Sequence, residues 1–106
     1  MNNNIHNTAL VNSKADIDGS VIIGPYCVIG PNVKINKNSE LKSNVIILGH
    51  TEIGSNCLIY PFSVLGNPPQ DLKFKGETSK LSIGNNNVIR EHVTMNPGTD
   101  GGGLIT

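Results

Sequence analysis

The sequence predicts an all-β solenoid, a parallel β-helix of triangular coils, and three observations carry that prediction. Aliphatic residues recur every six positions at Ile5, Val11, Ile17, Ile23, Ile29, Ile35, Leu41, Ile47, Ile53, Ile59 and Leu65. Four residues after each comes a small or β-branched side chain: Ala9, Ala15, Val21, Cys27, Val33, Ser39, Val45, Thr51, Cys57 and Ser63. Between them, stretches such as "IGPYCV", "IGPNVK", "INKNSE" and "IGSNCL" supply Gly, Pro, Asn and Ser, the residues that sharp corners need.

Eleven aliphatic residues in phase arise by chance about once in a million trials, so the repeat is real. A period of six matches neither the 3.6 of a helix nor simple alternation, but it does match a strand of a few residues followed by a corner. Each hexad is then one side of a prism, and three sides close a coil of about 18 residues. Coils stacked roughly 4.8 Å apart pile each aliphatic on its like, which makes a hexapeptide β-helix.

After Leu65 the expected aliphatic positions hold Asp71 and Glu77, and the phase returns at Ile83, Ile89 and Met95. The second position likewise returns at Val93 and Thr99, with Asn87 as its exception. Carboxylates pointing into a prism would be buried without partners, so the chain is read as one domain, 1–106, with residues 66–82 projecting as an inserted loop. Within that stretch "LGNPPQDLKFKGETSK" holds five of the sixteen charged residues. Insertions in solenoids collect on the binding face, so this loop is the candidate site.

Composition narrows the function classes. Eight basic residues balance eight acidic ones, which leaves no electrostatic footprint for nucleic acid or an anionic membrane. No apolar run approaches the ~18 residues of a membrane span, and the opening "MNNNIHNTAL" lacks the basic and apolar regions of a secretion signal. A cytoplasmic protein is expected. Cys27 and Cys57 occupy the small inward position on different prism sides, where they pack as small hydrophobes and do not pair.

The segments "GNPPQDLKFKGE", "IGNNNVIREHVTMNPGT" and "GGGL", preceded in order by "IHNTALV", "IGPYCVIGP" and "LKSNVIILGHTEIG", resemble the N-terminal portion of the bacterial acyl carrier protein:UDP-N-acetylglucosamine O-acyltransferases of lipid A synthesis. The resemblance implies a left-handed coil and a homotrimer whose loop reaches a cleft between subunits. It also implies the activity: transfer of a 3-hydroxyacyl group from acyl carrier protein to the 3-hydroxyl of UDP-N-acetylglucosamine, with no cofactor beyond the acyl donor. By the same resemblance Gln70, Asp71, Leu72 and Lys73 contact substrate, and Asn96 stands where many members carry a histidine beside the sugar. These residue types suit the task. Asp71 can accept from sugar hydroxyls, Lys73 can meet phosphate, Leu72 offers apolar area, and the amides of Gln70 and Asn96 donate and accept without titrating.

The sugar hydroxyl needs a base, which in the family is a histidine of a later hexad, beyond Thr106. The resemblance therefore implies a chain truncated at its C-terminus, with no catalytic residue among these 106. His50 and His92 fall fourth in their hexads and His6 lies in the first coil, so all three read as surface histidines. Their separations of 44 and 42 residues are not whole coils, which disfavours a three-histidine metal site. Two alternatives stay open: another hexapeptide acyl- or acetyltransferase, and a non-catalytic scaffold for oligomerisation.

Overall fold

The computed structural model describes residues 4–66, 80–91 and 94–95. Among these described residues, thirteen short strands wind into three parallel sheets, the three faces of a prism. Face I stacks β1 (Leu10–Val11), β4 (Val28–Ile29), β7 (Ile46–Ile47), β10 (Val64–Leu65) and β13 (Thr94–Met95). Face II stacks β2 (Asp16–Ile17), β5 (Val33–Ile35), β8 (His50–Ile53) and β11 (Lys80–Ile83). Face III stacks β3 (Ile22–Ile23), β6 (Glu40–Leu41), β9 (Leu58–Ile59) and β12 (Val88–Ile89). The chain visits I, II and III in turn, a left-handed parallel β-helix.

The predicted ladder is the core. Ile29 pairs in register with Ile47 and Ile47 with Leu65 on face I, Ile35 with Ile53 on face II, and Leu41 with Ile59 on face III. From Ile23 to Ile89 every described aliphatic of the series is at most 4% exposed. Ile5, Val11 and Ile17 of the first coil pack against this core while partly buried. Stacking identical branched side chains suits a pleated surface, where the fixed χ1 of isoleucine costs little.

From Val21 to Ser63 the second position is equally closed, and its hydroxyls are satisfied locally. Ser39 Oγ donates to the Gly54 carbonyl at 2.7 Å and accepts the Cys57 N–H at 3.1 Å. Ser63 Oγ lies 2.9 Å from the Arg90 carbonyl and 3.0 Å from that of Tyr60, tying one coil to the next. Cys27 and Cys57 are free, buried thiols, and burial pushes the Cys27 thiol above its ordinary range.

Two edges use the same backbone with different residues. Where face II turns into face III, Asn38, Asn56 and Asn86 take positive φ near 60°. Asparagine tolerates that region better than most L-residues. Where face III turns into face I, the equivalent positions are Tyr26, Asn44 and Phe62, with φ of 60°, 53° and 65°. An aromatic there gives up about 1–2 kcal/mol of backbone preference, and nothing in its sequence context announced that cost.

Across the insertion the repeat keeps its sides. Register partners elsewhere lie 18 residues apart, as Ile29 and Ile47 do. Ile53 and Ile83, and likewise Leu65 and Met95, are partners 30 apart, so the I/II edge carries twelve residues more than a coil requires. The wall resumes before the expected boundary at 82. Lys80, Leu81 and Ser82 belong to β11, with Lys80 exposed and Leu81 wholly buried. Leu81 fills a position that small residues hold elsewhere, which is why the six-residue pattern did not flag it. Its register partner is the smaller Thr51.

Candidate functional site

The insertion leaves from and returns to the edge between faces I and II. Its departure point, Gly66, has φ +77°, and directly beneath it on the same edge Gly49 has φ +65°. A Cβ on Gly66 would overlap the Leu48 carbonyl oxygen and Thr51 Oγ1, so only glycine fits. The return is held by four consecutive register pairs between β11 and β8, from Lys80 with His50 to Ile83 with Ile53.

Lys80 Nζ meets Glu52 Oε1 at 3.4 Å, and Asn36 Nδ2 donates to Glu52 Oε2 at 3.3 Å and to the Ile53 carbonyl at 2.8 Å. Glu52 and Lys80, with Asn32, Lys34, His50 and Thr51, line a shallow groove along face II. The hydrogen bond from Asn36 and then the Lys80 ammonium hold the Glu52 carboxyl below its usual range. A depressed carboxylate stabilises the fold fully above its unfolded pKa of about 4.3, and that stabilisation fades as pH falls through the lower folded value. Glu52→Gln is therefore expected to narrow the gap in melting temperature between pH 7 and pH 3. The effect stays within about 1 kcal/mol because the pair is solvent-exposed.

Gln70, Asp71, Leu72, Lys73 and Asn96 lie outside the described residues. Their points of departure do not. Leu65, after which the chain enters the insertion, and Met95, which precedes Asn96, are register partners on adjacent strands of face I. The residues that precede the sequence-predicted substrate segment and the predicted sugar-side amide thus sit on neighbouring rungs of one face, about 4.8 Å apart. The hexads alone could not show this, since it depends on the twelve-residue excess falling between faces I and II.

The histidines separate. His50 is exposed on the same edge, opposite Lys80. His6 is exposed in the first coil, where Nδ1 meets Thr8 Oγ1 at 2.8 Å. His92 lies outside the described residues. Among the described residues no three His, Cys, Asp or Glu side chains converge on a metal-sized space, and no helix is long and apolar enough to cross a membrane.

Comparison with known proteins agrees with this architecture. The family described as bacterial transferase hexapeptide (six repeats) matches residues 32–67. The chain is 57% identical over 93 residues to the acyl-(acyl-carrier-protein)–UDP-N-acetylglucosamine O-acyltransferase of Thermodesulfovibrio yellowstonii, an alignment covering 88% of this chain and 36% of that protein. It is 54% identical over 105 residues to the enzyme of the same name from Rickettsia canadensis, covering 99% and 40%. The solved UDP-N-acetylglucosamine acyltransferase of Francisella novicida superposes with a TM-score of 0.89 at 43% identity, over 96% of this chain and 38% of that one. The chain spans about 40% of the length of the curated relatives it matches.

Proposed function

We propose that this chain, homologous along nearly its whole length to acyl-(acyl-carrier-protein)–UDP-N-acetylglucosamine O-acyltransferases, is the substrate-loop portion of such an enzyme. The reaction moves a 3-hydroxyacyl group from acyl carrier protein to the 3-hydroxyl of UDP-N-acetylglucosamine, the first step of lipid A biosynthesis. The observation that carries the reading is the shared edge: the chain enters the "QDLK" segment from Leu65 and reaches Asn96 from Met95, and those two residues are register partners.

On this reading Asp71 accepts hydrogen bonds from sugar hydroxyls and Lys73 faces phosphate. Leu72 covers apolar surface, and Gln70 and Asn96 orient the sugar through their amides. The base that deprotonates the attacking hydroxyl is none of these residues. The thioester of acyl carrier protein supplies the acyl group, so no cofactor besides that donor enters. The enzyme works as a cytoplasmic homotrimer with its sites between copies.

The test is titration calorimetry of UDP-N-acetylglucosamine into the protein expressed from its complete gene. Asp71→Ala is expected to weaken binding about 10- to 100-fold, the size of one charge-assisted hydrogen bond. Unchanged affinity would remove the "QDLK" segment from the site. Binding of acetyl coenzyme A in place of the nucleotide sugar would move the protein to a different hexapeptide transferase activity.

A further inference from the structure

The wall resumes its repeat at β11, and the outer surface around its first residue is built unlike the rest of the prism. Most strands here are two residues long, whereas β11 has four and pairs along its whole length with β8. It is also the end strand of face II among the described residues, so only one side of it has a neighbour. The first rung of an end strand opens more readily than a rung inside a sheet. That rung is Lys80, and it is where the chain comes back from the insertion.

A clasp on the outside of face II holds it. The Lys80 ammonium reaches past its register partner His50 to Glu52, further along β8, and meets Oε1 at 3.4 Å. Glu52 is itself fixed from the other side. Asn36 Nδ2 donates to its Oε2 at 3.3 Å and to the Ile53 carbonyl at 2.8 Å, and Lys34 is its register partner on β5. One carboxylate therefore takes hold of the coil below and the coil above. The pairs Lys42–Glu40 and Arg90–Glu91, at 3.3 Å each, join near neighbours in sequence and tie no coil to another.

We propose that Glu52 is a positioning residue for the insertion: by holding Lys80 it fixes where the chain re-enters the wall, and so limits the conformations open to the segment that meets the nucleotide sugar. The link to the sugar rests on the function proposed above; the anchoring of the return does not. The physical reason is the entropy of a chain tied at both ends. At the departure, Gly66 is locked by its left-handed φ and by the close Leu48 carbonyl and Thr51 hydroxyl. At the return, the backbone ladder alone would let the first rung fray, and each residue released lengthens the free loop. A looser loop has more conformations to give up when a ligand orders it, which weakens binding without removing any contact. Glu52 thus acts on affinity through Lys80 and meets no substrate atom itself. An exposed ion pair shifts such an opening equilibrium by a factor of about 1.5 to 5.

The test uses protein expressed from its complete gene and reads two quantities: hydrogen exchange by mass spectrometry in peptides covering β11, and calorimetric affinity for UDP-N-acetylglucosamine. Glu52→Gln and Lys80→Ala should each speed β11 exchange and weaken binding by about 2- to 5-fold. The double variant should be no worse than either single change, because one interaction is being removed twice. Lys80→Arg keeps charge and reach and should match the wild type in both. Asp16→Asn, which removes a charge two coils below on the same face, should alter neither. Unchanged exchange in Glu52→Gln overturns the anchor, and so do additive losses in the double variant. Faster exchange with unchanged affinity leaves a purely structural ion pair and overturns the positioning role. A wild type that binds no UDP-N-acetylglucosamine removes the proposed function and the link to the sugar with it, while the exchange measurements still decide the anchor.

Discussion

Ile47→Asp is expected to leave no folded protein at room temperature, while Ile46→Asp, one residue earlier, is expected to fold. Ile47 is fully buried between Ile29 below and Leu65 above, in a column of aliphatic side chains. Truncating it to alanine alone should cost about 2–5 kcal/mol through lost burial and the cavity left behind. Aspartate adds an unpaired carboxylate with no partner in the column, and the combined loss is comparable to the whole 5–15 kcal/mol of a domain this size. Ile46 points outward and is half-buried on face I, where a charge meets water. Its replacement should change stability by less than about 1 kcal/mol. Far-UV circular dichroism with urea melts of both variants decides the matter. Equal destabilisation of the two would contradict the alternation on which every assignment of inside and outside rests.

That alternation was readable because a six-residue period leaves few options. A hexad with an aliphatic at the first position and a small residue at the fifth fixes which side chains face inward, and the registers Ile29 with Ile47 and Ile35 with Ile53 follow from closing three sides. What escaped the pattern has local causes. Leu81 is buried at a position that small residues usually fill, because the chain re-enters the wall there opposite the compact Thr51, so the strand starts at Lys80. The aromatics at Tyr26 and Phe62 occupy corners where composition favours Asn or Gly, and only their positive φ separates them from ordinary surface residues. The Glu52, Lys80 and Asn36 cluster joins residues on three coils, and the twelve-residue excess hides that proximity from any count along the sequence. Of the candidate site, the family resemblance implied residue types and order, and those residues lie outside the described ones. That the residues preceding its two segments are neighbours needed the register of Leu65 with Met95.

Gly66→Ala is the second change expected to act strongly, and Gly19→Ala is its control. At Gly66 two penalties add. The φ of +77° disfavours any L side chain by about 1–2 kcal/mol, and the new Cβ would overlap the Leu48 carbonyl and Thr51 Oγ1. Neither neighbour can retreat cheaply. Leu48 N–H is bonded to the Leu65 carbonyl at 2.9 Å, and the buried Thr51 hydroxyl is bonded to the Leu48 carbonyl at 2.7 Å. Relief has to come from the backbone of the I/II edge, giving a total of about 3 kcal/mol or more. Gly19 has nothing within 4 Å of a built Cβ and no left-handed φ, so alanine there should be neutral or stabilising by up to about 1 kcal/mol. Because the displaced backbone is the root from which the Asp71 segment departs, Gly66→Ala should also weaken UDP-N-acetylglucosamine binding at temperatures where the variant is still folded. A structural role alone would lower the melting temperature and spare the affinity of the folded fraction. Thermal melts paired with calorimetry below the transition separate the two, and equal melting of the Gly66 and Gly19 variants would show that this edge is not the tight corner described.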